Sequence, residues 1–296
     1  MNTTDAPIDP LSPSALLEVA RSAAERAADH IRSLDRDHLA REYKSGSHDI
    51  VTAHDRACEE LIAERLREAL PAALIVGEEG GVRPPSAEVA DDPASRVTFY
   101  VDPIDGTSNF AAGLPLFCVS IGVAVGDELV AGVIDAPVLG QVFTAADGPA
   151  MLNGVPLVPR ATHEPADALV LSGYPGYLAL EEQPELSLRA VPALQKGVSA
   201  VRHLGTAALE LAYVAAGWAD ATFIPAINSW DIAAGFHLVR RAGGSVRTWP
   251  GTGPADLPDH LRPAYVACTG QERIEVLDVL MDELQTAREA ADGVGA

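Results

Sequence analysis

The chain has 296 residues, 48% of them hydrophobic, which is enough for one large globular domain or two intimately packed ones. Its 42 acidic against 21 basic residues give a formal charge of −21, which argues against a nucleic-acid backbone or an anionic membrane as the main partner. Cys58, Cys118 and Cys268 lack zinc or redox spacing, residues 1–10 lack the pattern of a signal peptide, and no apolar run approaches the roughly 18–20 residues of a membrane span; a cytoplasmic protein with reduced thiols is expected.

Residues 1–13 are polar and carry Pro7, Pro10 and Pro13, so a flexible tail is expected, with Ser14 capping the first helix. From there to about Ser33, Leu16, Ala20, Ala23, Ala24, Ala27 and Ile31 recur at helical spacing. Lys44 and Asp49 fall in a loop, and Thr52 or Asp55 is placed to cap a second helix carrying Leu61, Ile62, Leu66 and Leu70. Residues 73–79 read as a buried strand ending in Glu78 and Glu79, and 81–96 as a surface loop. Residues 97–101 form a second strand that delivers Asp102 and Asp105 to its end, so neighbouring strands would bring Glu78 and Asp102 together.

Gly106-Thr107-Ser108 then turns the chain into a short helix. An isolated Asp-Gly-Thr does no more than make a turn and cap a helix. Here two carboxylates three residues apart face a helix start, a combination that also suits Mg²⁺ or Mn²⁺ beside a phosphate. Residues 117–125 and 129–134 read as a hairpin, 141–144 as a strand and Asn153-Gly154 as a tight turn; Asp127, Glu128, Asp135 and Asp147 read as surface or turn residues.

Past residue 161, strands are expected at 168–172, 198–203, 219–224, 245–247 and 264–268. Helices are expected at 185–195, 204–217, 228–242 and 271–290, with 173–185 as a loop. Gly205-Thr206 reads as a helix start, and Asp231 falls in a first turn, where the helix dipole alone favours an acid.

Three segments in order, Gly77-Glu78-Glu79, Asp102-Pro103-Ile104-Asp105-Gly106-Thr107 and Trp230-Asp231-Ile232-Ala233-Ala234-Gly235, resemble the signatures of the inositol monophosphatase family, magnesium-dependent phosphomonoesterases. The stretch from Lys44 through Asp49 and Thr52 to Asp55 resembles a further family segment near the metal cluster, so Asp55 is read equally as a cap or as outer support of the metal. The resemblance spans roughly residues 14–284 and implies a layered α-β-α-β-α sandwich. Residues 14–160 would bind metal and phosphate, and 161–296 would form the substrate side, packed with them as one unit.

The resemblance also implies the site. Glu78, Asp102 and the carbonyl of Ile104 would hold one Mg²⁺, whose water Glu78 and Thr107 orient; Asp102, Asp105 and Asp231 would hold a second, with a third ion or Mn²⁺ as variants. Gly106 and Thr107 would receive the phosphate, while Gly205, Thr206 and Ala207 would line the substrate pocket. It further implies a homodimer and inhibition by Li⁺. Seven residues before the metal aspartate, animal members carry a glutamate that binds inositol hydroxyls, and this chain has Ile224 there. An aliphatic side chain cannot accept those hydrogen bonds. The expected substrate is therefore a small phosphorylated polyol, sugar or nucleoside, with histidinol phosphate, fructose 1,6-bisphosphate and 3′-phosphoadenosine nucleotides as alternatives. A phosphate-binding protein without activity is the noncatalytic alternative.

Overall fold

The structure, a computed structural model, describes residues 9–35, 42–43, 50–51, 53–89, 92–160 and 164–294. Residues 1–8 of the expected tail, with Lys44, Asp49 and Thr52, lie outside them.

Helix α1 (Pro13–Ser33) begins two residues before the start expected from a cap at Ser14. Ser12 is the cap, accepting from Ala15 N at 3.4 Å, and Pro13 takes the first helical position, where its missing N–H costs nothing. Ser14 Oγ instead donates to Asp147. The alanine-rich stripe of α1 lets it lie close on its neighbours, α2 (Ala53–Ala69) and a large sheet. Between the two helices, β1 (Glu42–Tyr43) pairs with β2 (Ile50–Val51).

The large sheet has eight strands: β3 (Leu74–Gly77), β4 (Gly81–Arg83), β5 (Val97–Asp105), β6 (Cys118–Val125), β7 (Glu128–Ala136), β8 (Gln141–Ala145), β9 (Met151–Leu152) and β10 (Val155–Pro156). Their order is β10-β9-β8-β7-β6-β5-β3-β4. Only β3 and β5 run parallel, and helix α3 (Thr107–Ala111) follows β5.

A second sheet of five strands, in the order β12-β11-β13-β15-β14, comprises β11 (Leu169–Leu171), β12 (Ala200–Arg202), β13 (Ala221–Ile224), β14 (Ser245–Trp249) and β15 (Ala264–Cys268). Helices α4 (Tyr177–Glu182), α5 (Pro184–Gly197) and α8 (Glu275–Val294) cover its outer face. Helices α6 (Ala207–Ala215) and α7 (Ser229–Arg241) lie between the sheets. Each helix layer buries its apolar stripe against a sheet, giving the expected α-β-α-β-α sandwich.

The α7 layer sits unusually close to the large sheet. Gly122 and Gly132 face each other across β6 and β7; a Cβ on Gly122 would fall 2.5 Å from Ala233 Cβ, and one on Gly132 2.8 Å from the Ala234 carbonyl oxygen. Glycine is required for lack of space, and the contact sets the depth at which α7 presents its first turn.

Two local expectations are corrected. Residues 81–83 form β4, because the chain reverses after Gly77 and Gly81 (φ +63°) closes a hairpin onto β3. The acidic stretch 177–182 is helical, since its Tyr, Leu, Ala and Glu residues all tolerate a helix and Pro184 starts the next one. Residues 173–176 form the expected loop, within which Tyr174 is buried against Phe223 and bonded to Ser187 while Gly176 and Tyr177 are exposed; Gly173 abuts the His203 ring.

Asp135, expected at the surface, is corrected as well. It is 4% exposed on β7, with Arg32 of α1 at 3.6 Å. Burial pushes its carboxyl up to about 6, Arg32 opposes that, and Glu25 and Asp29 add to it. The fold thus favours the neutral acid, a contribution complete below the ordinary carboxylate range and lost as pH rises through about 6. Asp135→Asn is expected to stabilise the protein at pH 8 by roughly 2 kcal/mol and to change little at pH 4. Thermal unfolding at the two pH values checks this, and equal shifts at both would refute it.

Candidate functional site

The register of two strands builds the site. β3 and β5 pair in parallel with Gly77 beside Val101, and Glu78 N donates to Val101 O at 3.2 Å, so Glu78 leaves its strand next to Asp102. β5 is buried along its whole length. Its pairing with β6 slips between Asp102 and Asp105, where Pro103 has no N–H to give, and Ile104 N donates instead to Asp102 Oδ1 at 3.0 Å.

Gly106 follows in the left-handed region (φ +96°), a conformation that suits glycine, and starts α3. Thr107 Oγ1 lies 3.1 Å from Asp55 Oδ1 and 3.2 Å from the Ile104 carbonyl oxygen, so its single proton is offered to one of two acceptors. Asp55 is fully buried as the third residue of α2. Its contact with Thr107 places it next to the motif that follows β5.

The second half closes the site from above. Asp105 Oδ2 accepts from Thr206 Oγ1 at 2.7 Å and from Ala208 N at 2.6 Å, so the first turn of α6 grips it. Thr206 caps α6, Gly205 (φ +76°) makes the turn before it, and Ala207 is buried behind it. Asp231 lies in the first turn of α7, where its Oδ2 accepts from Asn228 N at 3.1 Å.

Asp102, Asp105 and Asp231 each present an oxygen within 4.8 Å of the others. Burial, with the charges of Glu78, Asp105 and Asp231, raises the Asp102 carboxyl well above its ordinary range. Burial likewise raises Asp231, with Asp105 and Glu78 adding to it. Asp105 is raised by burial and partly relieved by the Thr206 and Ala208 donors. The side-chain charges acting on the three are thus negative, and their oxygens are hard donors. The residues fit a divalent cation, which relieves the repulsion that raises them.

The structure therefore brings together Glu78, Asp102, Ile104, Asp105, Gly106, Thr107, Gly205, Thr206, Ala207 and Asp231, with Asp55 beneath Thr107. Gly106 directly faces the second half: a Cβ there would fall 3.2 Å from Gly205 O. Ile224 ends β13 and packs with Leu204 and Ile227 against the apolar cluster around α6 and α7.

Three residues escaped the sequence reading. Asn109 Nδ2 donates to Leu116 O and Leu204 O, both at 2.7 Å, tying α3 to the loop before α6. Glu210 accepts from Leu204 N and Thr222 Oγ1, and burial pushes its carboxyl up to about 7. Glu59 binds the turn after β3. The available signals were an asparagine following the motif and acids on otherwise apolar helix faces, which read equally as solvated positions.

The chain is similar to known proteins over most of its length. A model of the inositol monophosphatase family matches residues 12–282. A protein of Pseudomonas aeruginosa named Nus factor SuhB is 37% identical over 239 residues, covering 80% of this chain and 86% of its own. Inositol monophosphatase 1 of Solanum lycopersicum is 34% identical over 232 residues, covering 77% and 82%. The solved structure of an inositol monophosphatase from Anabaena superposes with a TM-score of 0.70 at 29% identity, covering 93% of this chain and 95% of that one.

Proposed function

Because this chain belongs to the inositol monophosphatase family and is a metal-binding phosphoric monoester hydrolase acting on a small phosphorylated substrate, we propose that it uses Mg²⁺ to cleave the phosphate from a polyol, sugar or nucleoside. The observation that carries this reading is the convergence of Asp102 and Asp105 from β5 with Asp231 from α7.

Glu78, Asp102, the Ile104 carbonyl, Asp105 and Asp231 would hold two or three Mg²⁺, with Mn²⁺ able to replace them. When bound, the ions supply positive charge for the phosphoryl oxygens and leaving group and acidify water. Glu78 and Thr107 orient the attacking water. With the Thr107 proton directed to Asp55 or to Ile104 O, its oxygen is left to accept from that water, and Glu78 takes the proton as the new P–O bond forms. The N–H groups of Gly106 and Thr107 hold the phosphate, and Gly205, Thr206 and Ala207 border the leaving alcohol, whose ester bond breaks as the new P–O bond forms and whose oxygen takes a proton from a solvent water, while Glu78 returns its proton to solvent.

In this account residues 14–160 are the metal and phosphate half and 161–296 the substrate side, packed as one unit. The protein acts as a homodimer in the cytoplasm, in keeping with three free buried cysteines, and Li⁺ inhibits it. The Pseudomonas relative's name, Nus factor, describes that protein, whereas the complete acid set here favours catalysis over phosphate binding alone.

Ile224, an aliphatic residue packed against the apolar cluster around α6 and α7, argues that simple inositol monophosphate is not the preferred substrate or that the enzyme is permissive. A phosphate-release panel covers inositol 1-phosphate, histidinol phosphate, fructose 1,6-bisphosphate, 3′-phosphoadenosine 5′-phosphate and nucleoside monophosphates, each with Mg²⁺ and with excess chelator. Release that needs Mg²⁺, without a dominant kcat/KM for inositol 1-phosphate, is expected. A wide margin for inositol 1-phosphate would remove the inference from Ile224, and turnover in chelator would remove the metal.

A further inference from the structure

We propose that Glu59 and Arg83 form a positioning pair that fixes the turn carrying Glu78, so that metal affinity is set in part from helix α2, behind the site. This deepens the function above and rests on the reading of Glu78 as a metal ligand.

Three consecutive amides anchor that turn. Glu78 N donates to Val101 O at 3.2 Å, Glu79 N to Glu59 Oε2 at 2.7 Å and Gly80 N to Glu59 Oε1 at 2.8 Å. Arg83, on the returning strand β4, donates from Nη2 to Glu59 Oε1 at 2.7 Å and reaches Glu60 Oε1 at 2.7 Å. The Glu59 side chain is 1% exposed and that of Arg83 13%, whereas that of Glu60 is 60% exposed; Glu59 is thus the enclosed member of the group.

The turn is shaped around this carboxylate. A Cβ on Gly77 would fall 2.6 Å from the Glu59 carboxyl carbon, and one on Gly80 would collide with both the Arg83 guanidinium and Glu59 Oε1. Two glycines bracketing Glu78 leave the space that Glu59 fills. Both Glu59 oxygens are engaged by backbone donors, so glutamine cannot replace it: its one amide oxygen satisfies one N–H and its amino group opposes the other.

The same helix carries Asp55 one turn earlier, against Thr107. One face of α2 therefore braces both residues read as orienting the attacking water. A group that holds a ligand's backbone without touching the ion acts as outer-shell support, whose loss typically weakens metal binding 10–100-fold.

The test is Mn²⁺ binding to the purified full chain, followed by electron paramagnetic resonance of free Mn²⁺, with Tm and steady-state kinetics on the same samples. Glu59→Gln and Arg83→Met are expected to weaken Mn²⁺ binding at one or more sites about 10–100-fold. In saturating Mg²⁺ they should lower kcat while leaving substrate KM near that of wild type, and Arg83→Lys should recover part of the affinity. Leu66→Ala, a buried truncation farther along α2, should lower Tm but keep wild-type Mn²⁺ affinity. If Glu59→Gln does not fold, the two Arg83 variants decide.

Wild-type Mn²⁺ affinity in folded Glu59→Gln or Arg83→Met, with affinity lost in Glu78→Gln, would overturn the positioning role and leave the metal site standing. Wild-type affinity in Glu78→Gln would overturn the reading of Glu78 itself. An equal loss of affinity in Leu66→Ala would show that the effect is general destabilisation and would also overturn the proposal.

Discussion

Asp102→Asn is expected to leave the protein folded and to lower kcat about a thousandfold in saturating Mg²⁺. The asparagine carbonyl oxygen can keep the bond from Ile104 N, so local geometry survives. The anionic charge does not, and an ion whose stabilisation of the transition state is worth several kcal/mol loses a donor common to both proposed positions. About 4 kcal/mol corresponds to three decades in rate. The metal-free protein should behave oppositely. Asp102 is a buried acid beside Glu78, Asp105 and Asp231, and removing its charge relieves their repulsion. Tm in chelator should therefore rise, while the further rise on adding Mg²⁺ should shrink. Kinetics and thermal unfolding with and without Mg²⁺ check both signs, and wild-type kcat in this variant would remove Asp102 from the mechanism.

Gly122→Val is expected to destabilise the fold by about 3 kcal/mol and to weaken metal binding from a position outside the site. Its Cβ would lie 2.5 Å from Ala233 Cβ and 2.7 Å from Ala234 N, and the opposing atoms belong to the backbone and short side chains of α7, which cannot swing aside. The helix must move, and Asp231 precedes Ala233 by only two residues on it. A loss of apparent Mg²⁺ affinity should accompany the loss of stability. Gly148→Ala, where nothing lies within 4 Å of the added carbon, should change neither by more than about 0.5 kcal/mol. Wild-type stability and Mg²⁺ affinity in Gly122→Val would show that the close contact between α7 and the sheet does not set the position of Asp231.

The two aspartates on β5 and the one on α7 were legible because each sits at the end of a locally patterned element: an apolar strand run in one case, a Trp-Asp helix start in the other. The layered fold was legible for the same reason, and family resemblance supplied the order of its layers. What escaped depends on distant neighbours. Asp135 reads as a surface acid until α1 covers β7 and brings Arg32 to it. Glu59 looks like one charge among several on a polar helix, and only the β3–β4 reversal shows that two amides and a guanidinium surround it. Tyr174 follows a glycine and precedes a proline, which mark a loop without telling that the ring points into a core formed 49 residues later by Phe223.

The central claim is that Asp102, Asp105, Asp231 and Glu78 hold the ions that drive phosphate release. Its most direct test is an anomalous difference map from crystals of the full chain soaked in Mn²⁺. The account predicts at least two strong peaks, one between Asp102, Asp105 and Asp231 and one between Asp102, Glu78 and the Ile104 carbonyl. A map with Mn²⁺ bound elsewhere and no peak among these residues would contradict it.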